Sequence, residues 1–536
     1  MAINVNKAKS FDRSQLDDSQ YGLTSSWSKH YSPPETARQG RFQGELTNLV
    51  VYGEVPKDID GTFVRMIVDP YYEPHPKNGF VEGDGNICAF RFHNGRVDMK
   101  LKYIETERLL LERKANRRLF GIYRNPYTNH PCVRVANDST GNTNIIYWNG
   151  QLLALAERGL PWAINHDTLE TKRYNPFGDQ VNSKTFSAHP KVDPYSDELV
   201  CWGYQAKGLG TLDIVTYSVD SKGKISNQNW FKEAAATWPH DAWVTENWII
   251  LASMPFRVSS DEELQQESQH WQYVEDWPSG FIVCPRNPDK PAQPGWKPGE
   301  TRRYTWNNGL IIHTGASWEE KDGKLILESH YVSTNMIFPF WNPPEMKVPK
   351  PTGSYVRWTL DLNQPTETRV ADPEQLMAAL CDFPKTDERF LTRKQRYVYI
   401  SAIDAGKPPE PRPSFNSIVK LDTQTREALV FDVGGLASNV AEPVFVPRSD
   451  DAPEGDGYVI ACAYRPGAVN GELIILDSND FSKPLALVKL PFQMRDQVHG
   501  NWVPNPNPGK PLPFLSGPPK DVTASDVGPL NRFGPR

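Results

Sequence analysis

SAHPKVDP (residues 187–194), WPHDAW (238–243), IIHTGASWEE (311–320) and QVHGNWVP (497–504) each carry one histidine: His189, His240, His313 and His499. The four lie far apart and share no CxxC or HExxH spacing, so a common site must be assembled by long-range folding, not on one helix or hairpin. That requirement points to a metal at the centre of a large β architecture. Imidazole suits Fe, Zn, Cu and Ni, and four neutral histidines leave the charge of a divalent ion unneutralised by its ligands. A propeller meets the geometric need. Each blade directs its innermost strand at the axis, so side chains from four blades converge while their backbone stays in rigid sheet.

The rest of the chain agrees with that architecture. The turn signals HNGR (93–96), WNGQ (148–151), SKGK (221–224), KDGK (321–324) and DTQT (422–425) recur between short alternating runs, as hairpins of propeller blades require. Aromatics at 11%, with 16 Trp and 47 Pro, favour β structure over helix. All-β propellers hold one architecture over lengths at which other chains divide, so 536 residues are read as a single domain. Residues 1–43 form a polar N-terminal arm and 504–536 a Pro/Gly-rich tail.

A net charge of −6 gives no electrostatic footprint for nucleic acid. The six cysteines are scattered without metal-type spacing and read as reduced, mostly buried thiols. The start has no apolar signal core, and no run approaches the ~20 apolar residues of a membrane span, so a cytoplasmic location is expected.

The histidine motifs, together with VPKDIDGTFVR (55–65), VEGDGN (81–86), ALAERGLPW (154–162) and AEPVFVPR (441–448), resemble the carotenoid cleavage oxygenases, non-haem iron enzymes that split C=C bonds with O2. The stretch LLLERKANRRLFGIYRNPYTN (109–129) is similar to the fungal branch related to stilbene dioxygenases. The resemblance implies a seven-bladed β-propeller with a cap of loops and short helices over the iron site. It implies Fe(II) held by His189, His240, His313 and His499, with Glu157, Asp382 and Glu442 accepting from their other ring nitrogens. Asp382 departs from the pattern, which has Glu before Phe-Pro. Being one methylene shorter, it requires the backbone to move inward or a water to fill the gap. Zinc is the rival metal, but it favours tetrahedral sites, and catalytic zinc keeps three protein ligands.

The implied reaction is oxidative cleavage of an alkene to two carbonyl products, with small aromatic alkenes and O2 as partners. Stilbene-cleaving relatives hold the phenol with a Tyr in the FGxYRNP segment and a Lys just before the Glu of ALAERG. Here the Tyr is Tyr123, the Lys position is Ala156, and Phe80 is expected to pack against a substrate ring. Stilbenoids, smaller phenylpropenoids such as isoeugenol or 4-vinylguaiacol, and apocarotenoids stay open. So do two rivals of other classes, a catalytically silent propeller used as a binding module and a zinc hydrolase.

Three further segments carry expectations. Residues 109–120 are read as an amphipathic helix or cap element, and as an apolar entrance on the sharper reading. SSDEELQQESQHW (259–271) and DPEQLMAALCDF (372–383) read as short surface helices. GDGN (83–86) is read as a tight turn near the iron, not a phosphate loop. The other seven histidines are left unassigned.

Overall fold

Asn94 and Gly95 join the strands Gly85–His93 and Arg96–Tyr103 with φ of 48° and 77°. Asn149 and Gly150 do the same between Asn144–Trp148 and Gln151–Leu155 with 49° and 75°. Two successive positive φ values make the type I′ turn whose twist matches that of a hairpin, which is why Asn-Gly occupies both. Repeated hairpins of this kind build a seven-bladed β-propeller in the computed structural model, which describes residues 5–7, 41–403, 415–433, 439–464, 470–492, 494–495 and 497–506.

Blades 2 to 5 are four-stranded sheets whose strands follow chain order. Blade 2 begins at Asn144–Trp148, blade 3 at Lys191–Asp193, blade 4 at Ala242–Val244 and blade 5 at Thr314–Glu320. Blade 6 begins at Cys381–Lys385 and gains Val5–Lys7, parallel to Ala428–Asp432, so part of the N-terminal arm straps this blade. The ring is closed twice. Gln497–Pro504 pairs with Gly61–Val68 in blade 1, and Val51–Gly53 pairs with Ala486–Lys489 in blade 7. The first strands face the axis and touch one another, with Gln497–Pro504 against Asn144–Trp148 and against Val444–Pro447.

The strands are buried on both faces because every blade is flanked by two others. In Gly61–Val68, Phe63 and Ile67 pack toward blade 7, while Val64 and Met66 pack toward blade 2. Alternating side chains leave a strand on opposite faces, so one strand feeds two interfaces. The apolar core is accordingly a ring of wedges, one between each pair of neighbouring blades.

Two helix expectations change. The segment 259–271 does contain a helix, α1 being Glu107–Ala115 and α2 Asp261–Gln265, the latter closed by a Ser260/Glu263 capping box. The segment 372–383 instead holds two strands, Glu374–Met377 and Cys381–Lys385, paired with Gly353–Asp361 and Tyr397–Ala402. Its helix-favouring residues are overridden by blade edges in need of partners. Helix α1 also departs from the amphipathic expectation. It stops at Ala115, where Asn116 takes a left-handed C-cap, and it buries Arg108 and Glu112 beside Leu109 while leaving Leu110 exposed. Its buried side is largely ionic. Residues 1–4 and 8–40 of the arm, and the tail beyond residue 506, lie outside the described residues; the strand carrying His499 runs through Pro504.

Candidate metal centre

Three of the histidines stand at the entrance to a first strand. His189 precedes Lys191–Asp193, His240 precedes Ala242–Val244 and His313 precedes Thr314–Glu320, while His499 lies within Gln497–Pro504. These four blades meet at the axis, so the imidazoles converge: one nitrogen from each lies within 4.8 Å of the others, and all four residues are buried. The other three blades supply carboxylates. Glu157 follows the second strand of blade 2, Asp382 lies in the first strand of blade 6 and Glu442 precedes Val444–Pro447 of blade 7.

Each carboxylate grips one ring. Nδ1 of His240 is 2.6 Å from Glu157 Oε1, Nδ1 of His313 is 2.7 Å from Asp382 Oδ1 and Nδ1 of His499 is 3.0 Å from Glu442 Oε1. An ionised carboxylate only accepts, so Nδ1 carries the proton and Nε2 keeps a lone pair for the centre. Nε2 of His313 and of His499 are buried without a hydrogen-bond partner, and Nε2 of His189 and His240 are 3.1 Å apart. Orphaned nitrogens facing one point fit a metal, since buried polar atoms are otherwise almost always partnered. His189 alone has no carboxylate among its hydrogen-bond partners. Burial and the three neighbouring imidazoles hold its pKa well below the usual range, which keeps it neutral.

The carboxylates are themselves fixed. Burial pushes Glu442 up, but Lys385, His499 and Arg65 outweigh it and hold its pKa at about 2; Gly500 N–H also donates to it at 2.9 Å. Trp238 Nε1–H donates to both oxygens of Glu157 at 3.2 Å. Asp382 reaches His313 directly, with no water needed between them, from an irregular stretch of strand. The strand is bulged between Asp382 and Lys385, and Phe383 adopts φ of 56°. A bulky residue held there costs about 1–3 kcal/mol, a strain typical of functional positions. Phe383 N–H donates back to Asp382 Oδ1 at 2.7 Å, and the Phe383 ring lies 5.1 Å from His313 and 5.4 Å from His499.

An aromatic wall leads away from the histidines. The ring of Trp238 is 4.9 Å from His240, 5.1 Å from Phe338 and 4.8 Å from Trp341. Tyr123 stacks on Trp341 at 6.4 Å, and Phe80 stacks on Phe338 at 5.7 Å. Phe80 is 54% exposed, which makes it the outer end of the wall. The Tyr123 hydroxyl has no hydrogen-bond partner among the described residues, and burial pushes its pKa up, so it is a neutral donor. Ala156 is buried next to Glu157. Positive charge is present nearby without a lysine, the Arg158 guanidinium lying 5.0 Å and that of Arg124 5.6 Å from the Tyr123 ring centre. Arg158 is tied to buried Glu82, which also pairs with Arg108 of α1. Residues 81–86 therefore deliver Glu82 to this ionic cluster, and no hydrogen bond among the described residues joins GDGN to a histidine. A cavity of mixed lining, with Lys191, Asp241 and Lys385 beside Ile146, Val192 and Trp243, reaches His189 and His313 apart from the aromatic wall.

Sequence reasoning left out Trp238, Phe383 and His330. The first two adjoin assigned residues in WPHDAW and CDFPK, and a neighbour's aromatic ring was their only signal. His330 had none, since its role depends on a fold contact.

A seven-bladed β-propeller whose axis gathers four imidazoles, three of them on carboxylates, is the build of a metalloprotein with its ion on the axis. Residues 37–504 match the family model described as "Retinal pigment epithelial membrane protein". The chain belongs to that carotenoid oxygenase family. It is 47% identical over 487 residues to "Resveratrol cleavage oxygenase 1" of Botryotinia fuckeliana, covering 90% of this chain and 87% of the relative. It is 34% identical to "Isoeugenol monooxygenase" of Pseudomonas putida over 86% of this chain and 95% of the relative. The crystal structure of Pseudomonas brassicacearum lignostilbene dioxygenase superposes with a TM-score of 0.81 at 35% identity, covering 87% of this chain and 97% of that one.

Proposed function

We propose that the protein is an Fe(II)-dependent dioxygenase that cleaves the C=C bond of a phenolic aromatic alkene, a stilbenoid or phenylpropenoid, with O2 to give two carbonyl products. The convergence of four buried imidazoles, three of them held by carboxylates, carries this reading. A silent scaffold has no need to bury four such rings around one point, because each unpartnered nitrogen costs stability.

Iron bound by His189, His240, His313 and His499 supplies O2 activation. The protein does the rest. Glu157, Asp382 and Glu442 keep Nδ1 protonated and the rings aimed; Trp238, Phe338, Trp341 and Phe80 shape an apolar slot for a flat substrate and exclude water from its alkene. Tyr123 donates its hydroxyl hydrogen to the phenolic oxygen, fixing which bond lies beside the histidines. We read residues 1–536 as one domain, with an arm at 1–43 and a tail from 504, acting in the cytoplasm; among the described residues no helix is long and apolar enough to cross a membrane.

The test is aerobic turnover of phenolic alkenes, their O-methyl ethers and apocarotenoids by iron-loaded protein, with aldehydes identified by mass. In Tyr123→Phe the preference for a phenol over its ether is expected to fall about tenfold, the worth of one buried hydrogen bond near 1.4 kcal/mol. An unchanged preference removes Tyr123 as the anchor and moves apocarotenoids to first place. Ala156→Lys is expected to move efficiency toward 4-hydroxystilbenes, because a charge-assisted hydrogen bond to the phenol is roughly twice as strong as a neutral one.

A further inference from the structure

Three of the four rings at the axis rest on a carboxylate, and His189 is the exception. The chain beside His189 is fastened all the same. Pro190 stiffens the backbone after the histidine, and one residue further on Lys191 Nζ lies 2.8 Å from Asp241 Oδ1. Asp241 directly follows His240, and its Oδ1 also accepts from Ala242 N–H at 2.7 Å. Its other oxygen, Oδ2, accepts at 2.8 Å from the N–H of Thr314, the residue after His313. One buried carboxylate thereby grips the chain within two residues of three histidines, where the first strands of blades 3, 4 and 5 begin.

We propose that Asp241 is a positioning residue for the metal centre, a hub that sets the spacing of His189, His240 and His313 through the chains that carry them. Its partners are all donors, one ammonium and two peptide N–H groups, as the lone pairs of a carboxylate require. Glu157, Asp382 and Glu442 each aim a single ring; Asp241 joins the segments from which three rings project. The propeller creates the need for such a part. Blades 3, 4 and 5 are separate sheets, so no strand ladder holds these three histidines at a fixed distance from one another. A metal site tolerates errors of only about 0.5 Å in its ligands. His499 stands outside the hub and is joined through Gly500 N–H to Glu442 instead. The Lys191 side chain is 19% exposed and lines the cavity that reaches His189 and His313, so removal of Asp241 does not strand its charge away from water.

The inference rests on the proposed four-histidine centre, and the test separates the two. Metal-free wild type, Asp241→Ala, Lys191→Met, Lys191→Arg and the double variant Lys191→Met/Asp241→Ala are titrated with Fe(II) under anaerobic conditions and with Co(II), whose visible spectrum reports the ligand field. Thermal unfolding of each metal-free protein is followed alongside. Asp241→Ala is expected to weaken both ions ~10 to 100-fold, as loss of an outer partner does, and to shift the Co(II) spectrum. Lys191→Met loosens His189 alone and is expected to cost about tenfold, the low end of that range. Lys191→Arg keeps a charged donor for Asp241 and is expected to bind within about threefold of wild type. The double variant is expected to bind within about threefold of Asp241→Ala, because the Lys191 tie is already gone there. Unchanged affinity and spectrum in Asp241→Ala, with only a lowered unfolding temperature, would overturn the proposal, as would full additivity in the double variant. Should Asp241→Ala not fold, the Lys191 variants decide: a loss in Lys191→Met that Lys191→Arg restores supports the hub, and equal binding by the two overturns it. Wild type that takes up neither ion overturns the four-histidine centre itself.

Discussion

His240→Ala is expected to strip most iron from the protein and to lower turnover by more than about 100-fold, beyond the range seen when only an outer partner is lost. The sheets should survive, because His240 precedes Ala242–Val244 and its side chain is no part of a wedge between blades. Stability distinguishes the ligands from one another. Removing His240 takes a hydrogen-bond donor from buried Glu157 and leaves the single Trp238 Nε1–H shared between its oxygens, which costs roughly 1–3 kcal/mol. His189 has no carboxylate to orphan, so His189→Ala should lose iron equally while the metal-free protein stays near wild-type stability. Iron content, far-UV circular dichroism and urea unfolding of both metal-free variants check this. Full iron retention in either would reject that residue as a ligand.

A second large effect is expected at a residue that touches none of the four histidines. Glu82→Gln replaces a buried carboxylate that faces Arg108 and Arg158, whose side chains are 6% and 5% exposed. Burial alone pushes the Glu82 carboxyl up, yet the two guanidinia outweigh it and hold it below its usual range, so it is ionised and paired. Breaking such a pair leaves uncompensated buried charge, and about 3–5 kcal/mol of stability is expected to go. Because Arg158 lies over Tyr123, the same change should weaken phenol selectivity before it affects metal content. A loss under about 1 kcal/mol in urea unfolding would show that water reaches the cluster.

The four histidines and three carboxylates could be picked out from the sequence because each sits in a short motif, six of them at or in a first strand and Glu157 after a second one, and such a motif survives as a unit. Tyr123, Phe80 and Ala156 were placed by the same route, and the first two fall on one aromatic wall. What stayed hidden depends on contacts between distant segments. No pattern in residues 109–120 indicates that the helix buries Arg108, because its partner Glu82 lies 26 residues earlier, in the loop between Gly61–Val68 and Gly85–His93. Residues 374–377 carry Glu, Gln, Leu and Met, which favour helix locally; only the unpaired edge of Gly353–Asp361 makes them a strand. His330 looks like any strand histidine until Asp382 arrives from 52 positions further on.

The strand that completes blade 1 also carries the last histidine. During synthesis His189 leaves the ribosome roughly 300 residues ahead of His499, which at ~5–20 residues per second is on the order of 15–60 s. Throughout that interval the growing chain offers at most three of its imidazoles, and over the last 57 residues Glu442 waits without the ring it serves. A chain ending at residue 496 is expected to retain little iron at a concentration that saturates the full-length protein. Metal uptake thereby becomes an inspection of the finished product: a truncated translation product cannot charge itself with a redox-active ion.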